Sequence, residues 1–269
     1  MATSRKSWIT ALVCATAATV GVTGCATGAA TGSKGHRGAP AAAPDPRTGT
    51  DADAIAEEAV RVTKEAIGLR VTGGPDDALQ EGLRIDVAAD ERGACAGTMD
   101  RQGTSADLIG ADGALFVRAE EPFWRAAVTA GKHGSDAAET EAMVGYLSLP
   151  GRWLYVAAAD RTRDLDLGTV CDFDTLRDHV DQDRAARTGL TRVADSKVNG
   201  QKAIVLKNRT LTLYVAKDGA PYLLKSVRAD AADPASTSTY TFSDHGKPVN
   251  ADRPAERDVV NLQSLDAGF

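Results

Sequence analysis

Between Cys95 and Ala119 the chain reads CAGTMDRQGTSADLIGADGALFVRA, three short runs of alternating apolar and polar residues broken at Gln102-Gly103 and Asp112-Gly113. Successive side chains of a β-strand point to opposite faces, so a period of two makes one face apolar and the other wet. An X-Gly pair between two such runs supplies the positive φ angles that a tight hairpin needs. A stretch written this way folds as an antiparallel meander, and its apolar face must be covered by other parts of the chain.

The pattern recurs on both sides. LRIDVAA sets Leu83, Ile85 and Val87 on one face against Arg84 and Asp86 on the other. From Gly189 onward LTRVADSKV, QKAIVLKN, TLTLYVAKDG, PYLLKSVRAD and STSTYTFSDHG read as strands, with Asn199-Gly200 and Asp218-Gly219 as hairpin signals. This makes about nine strands in two groups. The tail NADRPAERDVVNLQSL adds a last strand or wraps the edge.

Helical spacing appears elsewhere. DADAIAEEAVRVTKEAIG opens with acids and places Ile55, Ala59, Val62, Ala66 and Ile67 on one face, which predicts a helix over about 52–67. EEPFWRAAVTAGK starts a second with Pro122 in its first turn, DAAETEAMVGYLSLPG a third, and CDFDTLRDHVDQDRAAR a fourth with Phe173, Leu176 and Val180 in phase. RWLYVAA is a short strand or extended piece between them. Helix, meander, helices and a longer meander suit an α+β fold: one large curved antiparallel sheet closed over its helices.

In that order, TLYVAKDGAPYLLKSVRAD followed by TYTFSDHGKPVNADRPAERDVVNL resembles the end of the LolA-like superfamily, and more closely the actinobacterial LppX/LprG type of lipoprotein. GALFVRAEEPFW and GRWLYVAA resemble their first half, so the likeness spans most of residues 55–262. The resemblance implies a half-barrel with helices covering its concave face and an apolar cavity between them, in which several members carry acyl chains or lipidated glycans outward. It implies no catalytic residues. Leu83, Ile85, Val87, Leu115, Val117, Leu211, Leu213, Val215 and Phe242 point inward and are either ordinary core or the lining of that pocket. Phe123, Trp124, Met143 and Tyr146 either line its mouth or pin helices to the sheet. Apolar area is all that an acyl chain requires of such a lining.

The N-terminus bears on location. Arg5 and Lys6 precede an uncharged, mostly small and apolar run from Trp8 to Val22, shorter than the roughly 20 residues that span a bilayer. Val22-Thr23-Gly24-Cys25 then resembles the bacterial lipobox, whose cysteine receives diacylglycerol before the leader is cut away. Residues 26–50 hold no Val, Ile, Leu or aromatic side chain and read as a disordered tether. Its reach averages about 25–30 Å. The expected plan is a signal peptide (1–24), the lipidated Cys25 with its tether (25–50), and one domain (51–269), anchored on the extracytoplasmic face of the cell membrane.

Without Arg5 and Lys6 the chain carries 29 basic and 37 acidic side chains, a formal charge of −8. That disfavours nucleic acid and anionic headgroups as main partners, although a local basic patch remains compatible with it. Cys14 lies in the leader, so Cys95 and Cys171 are the two thiols left to an exported domain. An oxidising compartment favours their pairing; the alternative is two separately buried thiols. No G-x-S-x-G elbow or phosphate loop is present, and His36, His133, His179 and His245 are isolated from one another. The acids of DLD (164–166) and DFD (172–174) could hold a cation through paired carboxylates, but a helix N-terminus accounts for Asp172 and Asp174 more simply. The expectation is therefore no enzyme, no cofactor and no metal. The partner is a lipid or other hydrophobic molecule; an envelope protein partner is the alternative, with the same fold and a filled core.

Overall fold

The computed structural model describes residues 49–75, 83–130, 151–157, 169–233 and 236–261, with side chains omitted for 127–130. The expected leader, Cys25, most of the tether, the helix expected over DAAETEAMVGYLSLPG, Met143, Tyr146, the DLD acids, His36 and His133 lie outside those residues.

Thirteen strands form one open sheet: β1 (Gly68–Pro75), β2 (Leu83–Asp90), β3 (Cys95–Arg101), β4 (Thr104–Ala111), β5 (Ala114–Ala119), β6 (Trp153–Val156), β7 (Thr191–Arg192), β8 (Ser196–Val198), β9 (Gln201–Lys207), β10 (Leu211–Ala216), β11 (Leu223–Ala229), β12 (Thr237–Ser243) and β13 (Val259–Asn261). The lateral order is β13-β6-β5-β4-β3-β2-β1-β12-β11-β10-β9-β7, with β8 also on β9. Every pairing is antiparallel except β13 on β6. Three of the four X-Gly breaks are two-residue hairpins with both central residues at positive φ: Gln102-Gly103, Asp112-Gly113 and Asn199-Gly200. At Asp218-Gly219 only the glycine has positive φ, and residues 217–222 make a longer connection between β10 and β11.

The nine-strand expectation missed β1, and with it the joint that makes two groups into one sheet. β1 pairs with β2 on one side and β12 on the other, Val71 facing Val87 and Phe242. Its sequence, GLRVTGGP, has too many glycines and a proline to show a period. Those glycines serve the pairing: a Cβ on Gly73 would lie 1.9 Å from the Thr239 carbonyl oxygen, at a φ of +149°. Only glycine lets the two backbones approach this closely.

Three helices are described: α1 (Ala52–Lys64), α2 (Glu121–Ala130) and α3 (Phe173–Asp181). Helix α1 is capped by the Asp51 carboxylate, which accepts from the Asp53 N–H at 2.7 Å. It ends three residues earlier than the spacing predicted, because the chain must turn to enter β1 at Gly68. Its buried face is Ile55, Ala56, Ala59, Val60 and Thr63, so Ile67 is left half exposed. Helix α3 starts at Asp172, whose side chain accepts from the Thr175 N–H at 2.8 Å, and buries Phe173, Leu176 and Val180 as predicted. The cap explains Asp172 and an ion pair with Arg177 occupies Asp174.

The Cys95–Cys171 disulfide joins the first residue of β3 to the residue before the α3 cap, with the Cα atoms 5.6 Å apart. Both cysteines are buried, so the bond fastens α3 to the inner face of the sheet.

After β12 the chain becomes a strap running to the opposite edge. The Gly246 N–H donates to the Gly68 carbonyl at 2.8 Å, and the Val249 N–H donates to the Asp90 carboxylate at 2.8 Å. Asp90 also accepts from Arg92 and from the Ala94 N–H, and these donors outweigh burial and hold its carboxyl below the ordinary value. Beyond a short 3₁₀ turn, β13 caps β6, and Val259 packs on an outer-face cluster of Ala111, Ala114, Phe116 and Trp153. The tail thus both adds a strand and wraps the sheet.

Candidate functional site

The concave face carries one continuous apolar cluster from β6 to β9. Inward positions follow the registers row by row: Phe242, Val71 and Val87 lie across three neighbouring strands, and Leu108, Val117 and Leu154 across three more. Of the thirteen residues the sequence suggested for a pocket or its mouth, ten lie in this cluster: Ile85, Val87, Leu115, Val117, Phe123, Trp124, Leu211, Leu213, Val215 and Phe242. Leu83 is partly buried at its margin, and Met143 and Tyr146 lie outside the described residues. Sequence reading missed Leu69 and Val71 together with β1. It also passed over Met99, Leu108 and Leu154, which the same period-two rule would have found.

The cover is uneven. Helices α1 and α3 pack on each other and chiefly on β1, β2, β7, β10 and β11, while α2 packs on β3 and β4. Helix α1 is tied down by Thr63, whose hydroxyl donates to the Ala59 carbonyl at 2.7 Å and accepts from the Leu223 N–H at 2.8 Å. Helix α2 presents Phe123 and Trp124, stacked edge-on with centroids 5.4 Å apart, and the indole N–H donates to the Ala119 carbonyl at 3.1 Å. Both rings are fully buried, and the indole bond satisfies the one polar atom they bring.

Buried charge collects where α1 and α3 meet. Arg187, 2% exposed, donates to Glu57 at 2.9 Å and to Asp181 at 2.6 Å, and Lys64 pairs with Asp181 at 3.3 Å. Burial pulls the Arg187 guanidinium down, and the two carboxylates reverse this, holding it above its ordinary value. Asp181 is lowered by Arg187 and Lys64 against the opposing effect of burial. Past the end of α3, buried Asp183 accepts from the Ser226 hydroxyl at 2.6 Å and faces Arg228 at 3.5 Å. His179 of α3 stacks on Tyr240 of β12 at 5.0 Å, and burial lowers the imidazole and raises the phenol. His245 stacks on Tyr222 at 4.2 Å with Nε2 3.2 Å from the Leu223 carbonyl, and burial lowers it too.

These groups hold helices to sheet. The Ser226 hydroxyl is committed to Asp183, and the His179 ring lies against a tyrosine. Among the described residues no group of three or more His, Cys, Asp or Glu could hold a metal ion, and no helix is long and apolar enough to cross a membrane. Asn208, in the NRT triplet, donates its amide to the Ala186 and Thr188 carbonyls and so braces the β9–β10 turn. What the concave face offers chemically is apolar surface.

No protein-family model matches the chain, and no curated protein matches it in sequence. Among solved structures it is similar to LprF from Mycobacterium bovis, at 14% identity and a TM-score of 0.47 over 76% of this chain and 97% of that one. It is also similar to the Mycobacterium tuberculosis lipoprotein LppX, at 13% identity and a TM-score of 0.41 over 75% and 98%. A more distant likeness is to the MucA/MucB complex of Pseudomonas aeruginosa, at 13% identity and a TM-score of 0.31 over 77% and 59%.

Proposed function

We propose that the chain is an extracytoplasmic lipoprotein, anchored through Cys25, that binds a lipid or other long hydrophobic molecule between the sheet and its helices. One observation carries the reading. An apolar concave face runs from β6 to β9, yet the two tightly fastened helices sit chiefly over its β1–β2 and β7–β11 part. Over β3–β6 the described cover is α2 and the Val170–Cys171 segment bonded to β3, and there Met99, Leu108, Leu115, Val117 and Leu154 offer a continuous apolar surface. An acyl chain laid on that surface gains about 25 cal/mol per Å² buried. A ligand reaches it by displacing α2, which has no disulfide or buried ion pair among its described contacts.

The second reading is an interaction or sensor module with a filled core. It is favoured by the burial of these same side chains, which are 0–5% exposed in this conformation. Native mass spectrometry of the chain purified from a membrane-containing host, followed by organic extraction, separates the two. A bound mass recovered as lipid supports the carrier; a bare protein mass that persists after incubation with phospholipid vesicles refutes it. Anchoring is read separately: Cys25→Ala should move the protein out of the membrane fraction or block leader removal.

A further inference from the structure

The formal charge of the domain is divided unequally along the chain. Residues 51–188 contain 15 Lys and Arg against 27 Asp and Glu, whereas residues 189–249 contain 9 against 5. The sheet turns this into a surface. β9, β10 and β11 contain no acidic residue, while β2, β3 and β4 each carry one or two. On the convex side of β9–β11 the outward positions that reach the surface include Lys207, Thr212, Tyr214, Lys225 and Val227, because Ile204, Leu206, Leu213 and Leu223 face the core; Val205, between them, is buried.

Lys225 lies with Nζ 5.6 Å from the Tyr214 ring centre, and Tyr214 pairs with both Lys225 and Val205 across the strands. Lys207 lies two strands away and one row along, roughly 12 Å from Lys225 by strand spacing and rise. Arg209 is exposed in the turn that follows β9. Among the described residues Lys207, Arg209 and Lys225 have no carboxylate within ion-pair distance, whereas the inner-side Lys202 and Lys217 are paired with Asp218 and Asp195.

The start of the folded domain lies at the β7–β9 edge of these strands. The Asp53 carboxylate in the first turn of α1 accepts from the N–H groups of Gly189 and Leu190, at 2.9 and 2.8 Å. Leu190 leads directly into β7, whose Thr191 pairs with Lys207. The residues after the tether therefore enter the fold next to the basic end of β9.

We infer that this acid-free convex face of β9–β11 rests on anionic phospholipid headgroups of the membrane that holds the chain, with Lys207, Arg209 and Lys225 over phosphates and Tyr214 at the headgroup level. The inference rests on the anchored reading, which brings the face within reach of a bilayer. An overall negative charge does not oppose it, because screening limits the distant acids to a Debye length of about 8 Å. Each basic side chain at an anionic surface is worth roughly a fivefold gain in partitioning.

The test uses the chain from residue 25 with Cys25→Ser, which retains every buried core residue described, since the first of these is Ile55. It is sedimented with vesicles of phosphatidylcholine alone or with about one third phosphatidylglycerol. Selective binding to the anionic vesicles, lost on raising NaCl to about 0.5 M, is expected. Lys207→Glu with Lys225→Glu should weaken that binding at least tenfold, and Arg257→Glu, on the strap, should leave it unchanged. Equal binding to both vesicles, or no response to the double reversal in a protein with an unaltered melting curve, overturns the inference. Binding to a soluble anionic polysaccharide but not to vesicles overturns it in favour of a cell-wall polymer. None of these outcomes bears on anchoring, which is read from the fractionation of Cys25→Ala.

Discussion

Breaking the Cys95–Cys171 bond should cost more than any single contact in the molecule. The cysteines are 76 residues apart, so reopening the loop restores about 4.5 kcal/mol of chain entropy to the unfolded state. For a domain of this size each kcal/mol moves the midpoint by about 2–4 °C, which gives a fall in Tm of roughly 9–18 °C. The location adds a local effect. Cys171 immediately precedes the cap of α3, so the broken bond leaves that helix held by Phe173, Leu176, Val180 and its ion pairs. The measurement is thermal and urea unfolding of the oxidised protein, the reduced protein and Cys95→Ala/Cys171→Ala. Amide hydrogen exchange on α3 and on β9–β12 accompanies it. Reduced and doubly substituted proteins should agree, with exchange accelerated first in α3. A midpoint shift under about 3 °C would refute the loop-entropy argument. Faster exchange in β9–β12 than in α3 would refute the assignment of the bond as the fastening of that helix.

Two other perturbations test the joint and the buried histidines. Gly73→Ala places a methyl group against the Thr239 carbonyl oxygen and 2.8 Å from the Tyr240 Cα, both backbone atoms. With backbone strain and overpacking together it should cost about 3–5 kcal/mol, read by urea unfolding, and an unchanged midpoint would refute β1 as the tight centre of the sheet. Burial holds His179 and His245 below their ordinary value of 6.5, so the unfolded chain takes up protons first as pH falls. Their contribution is complete above about pH 6.5 and is lost below it, at no more than about 1.4 kcal/mol per pH unit for each. The midpoint should therefore drop between pH 7 and 5, before the lowered carboxyls of Asp86, Asp90 and Asp181 are protonated. His179→Gln with His245→Gln should flatten that interval; a slope equal to the parent's would refute the assignment.

What can be read along the chain is what short-range physics dictates. Period-two alternation and X-Gly pairs specify β2–β5 and β8–β12 because a strand's faces and a hairpin's φ angles depend on neighbours a few residues away. Asp172 announces α3 for the same reason, through a bond to an N–H three residues on. Two thiols in the folded domain leave one pairing, and the structure forms it. The eight inward strand positions were legible because alternation assigns a face before the partner strand is known.

The structure decided what depends on distant residues. β1 has no periodic signature, since its pairing with β12 joins segments far apart in the chain and requires glycine where a pattern would place side chains. The strap from Asp244 to Val259 is anchored by a buried aspartate and a glycine carbonyl, neither of which carries a linear signal. The fastening of α1 and α3 over one part of the concave face follows from a disulfide across 76 residues and ion pairs across 117 and 130. Sequence alone determined that this chain makes a one-sided sheet needing a cover; the tertiary structure determined where α1 and α3 are fastened to it. Cover and sheet meet only through long-range contacts, whose closure no local pattern can encode.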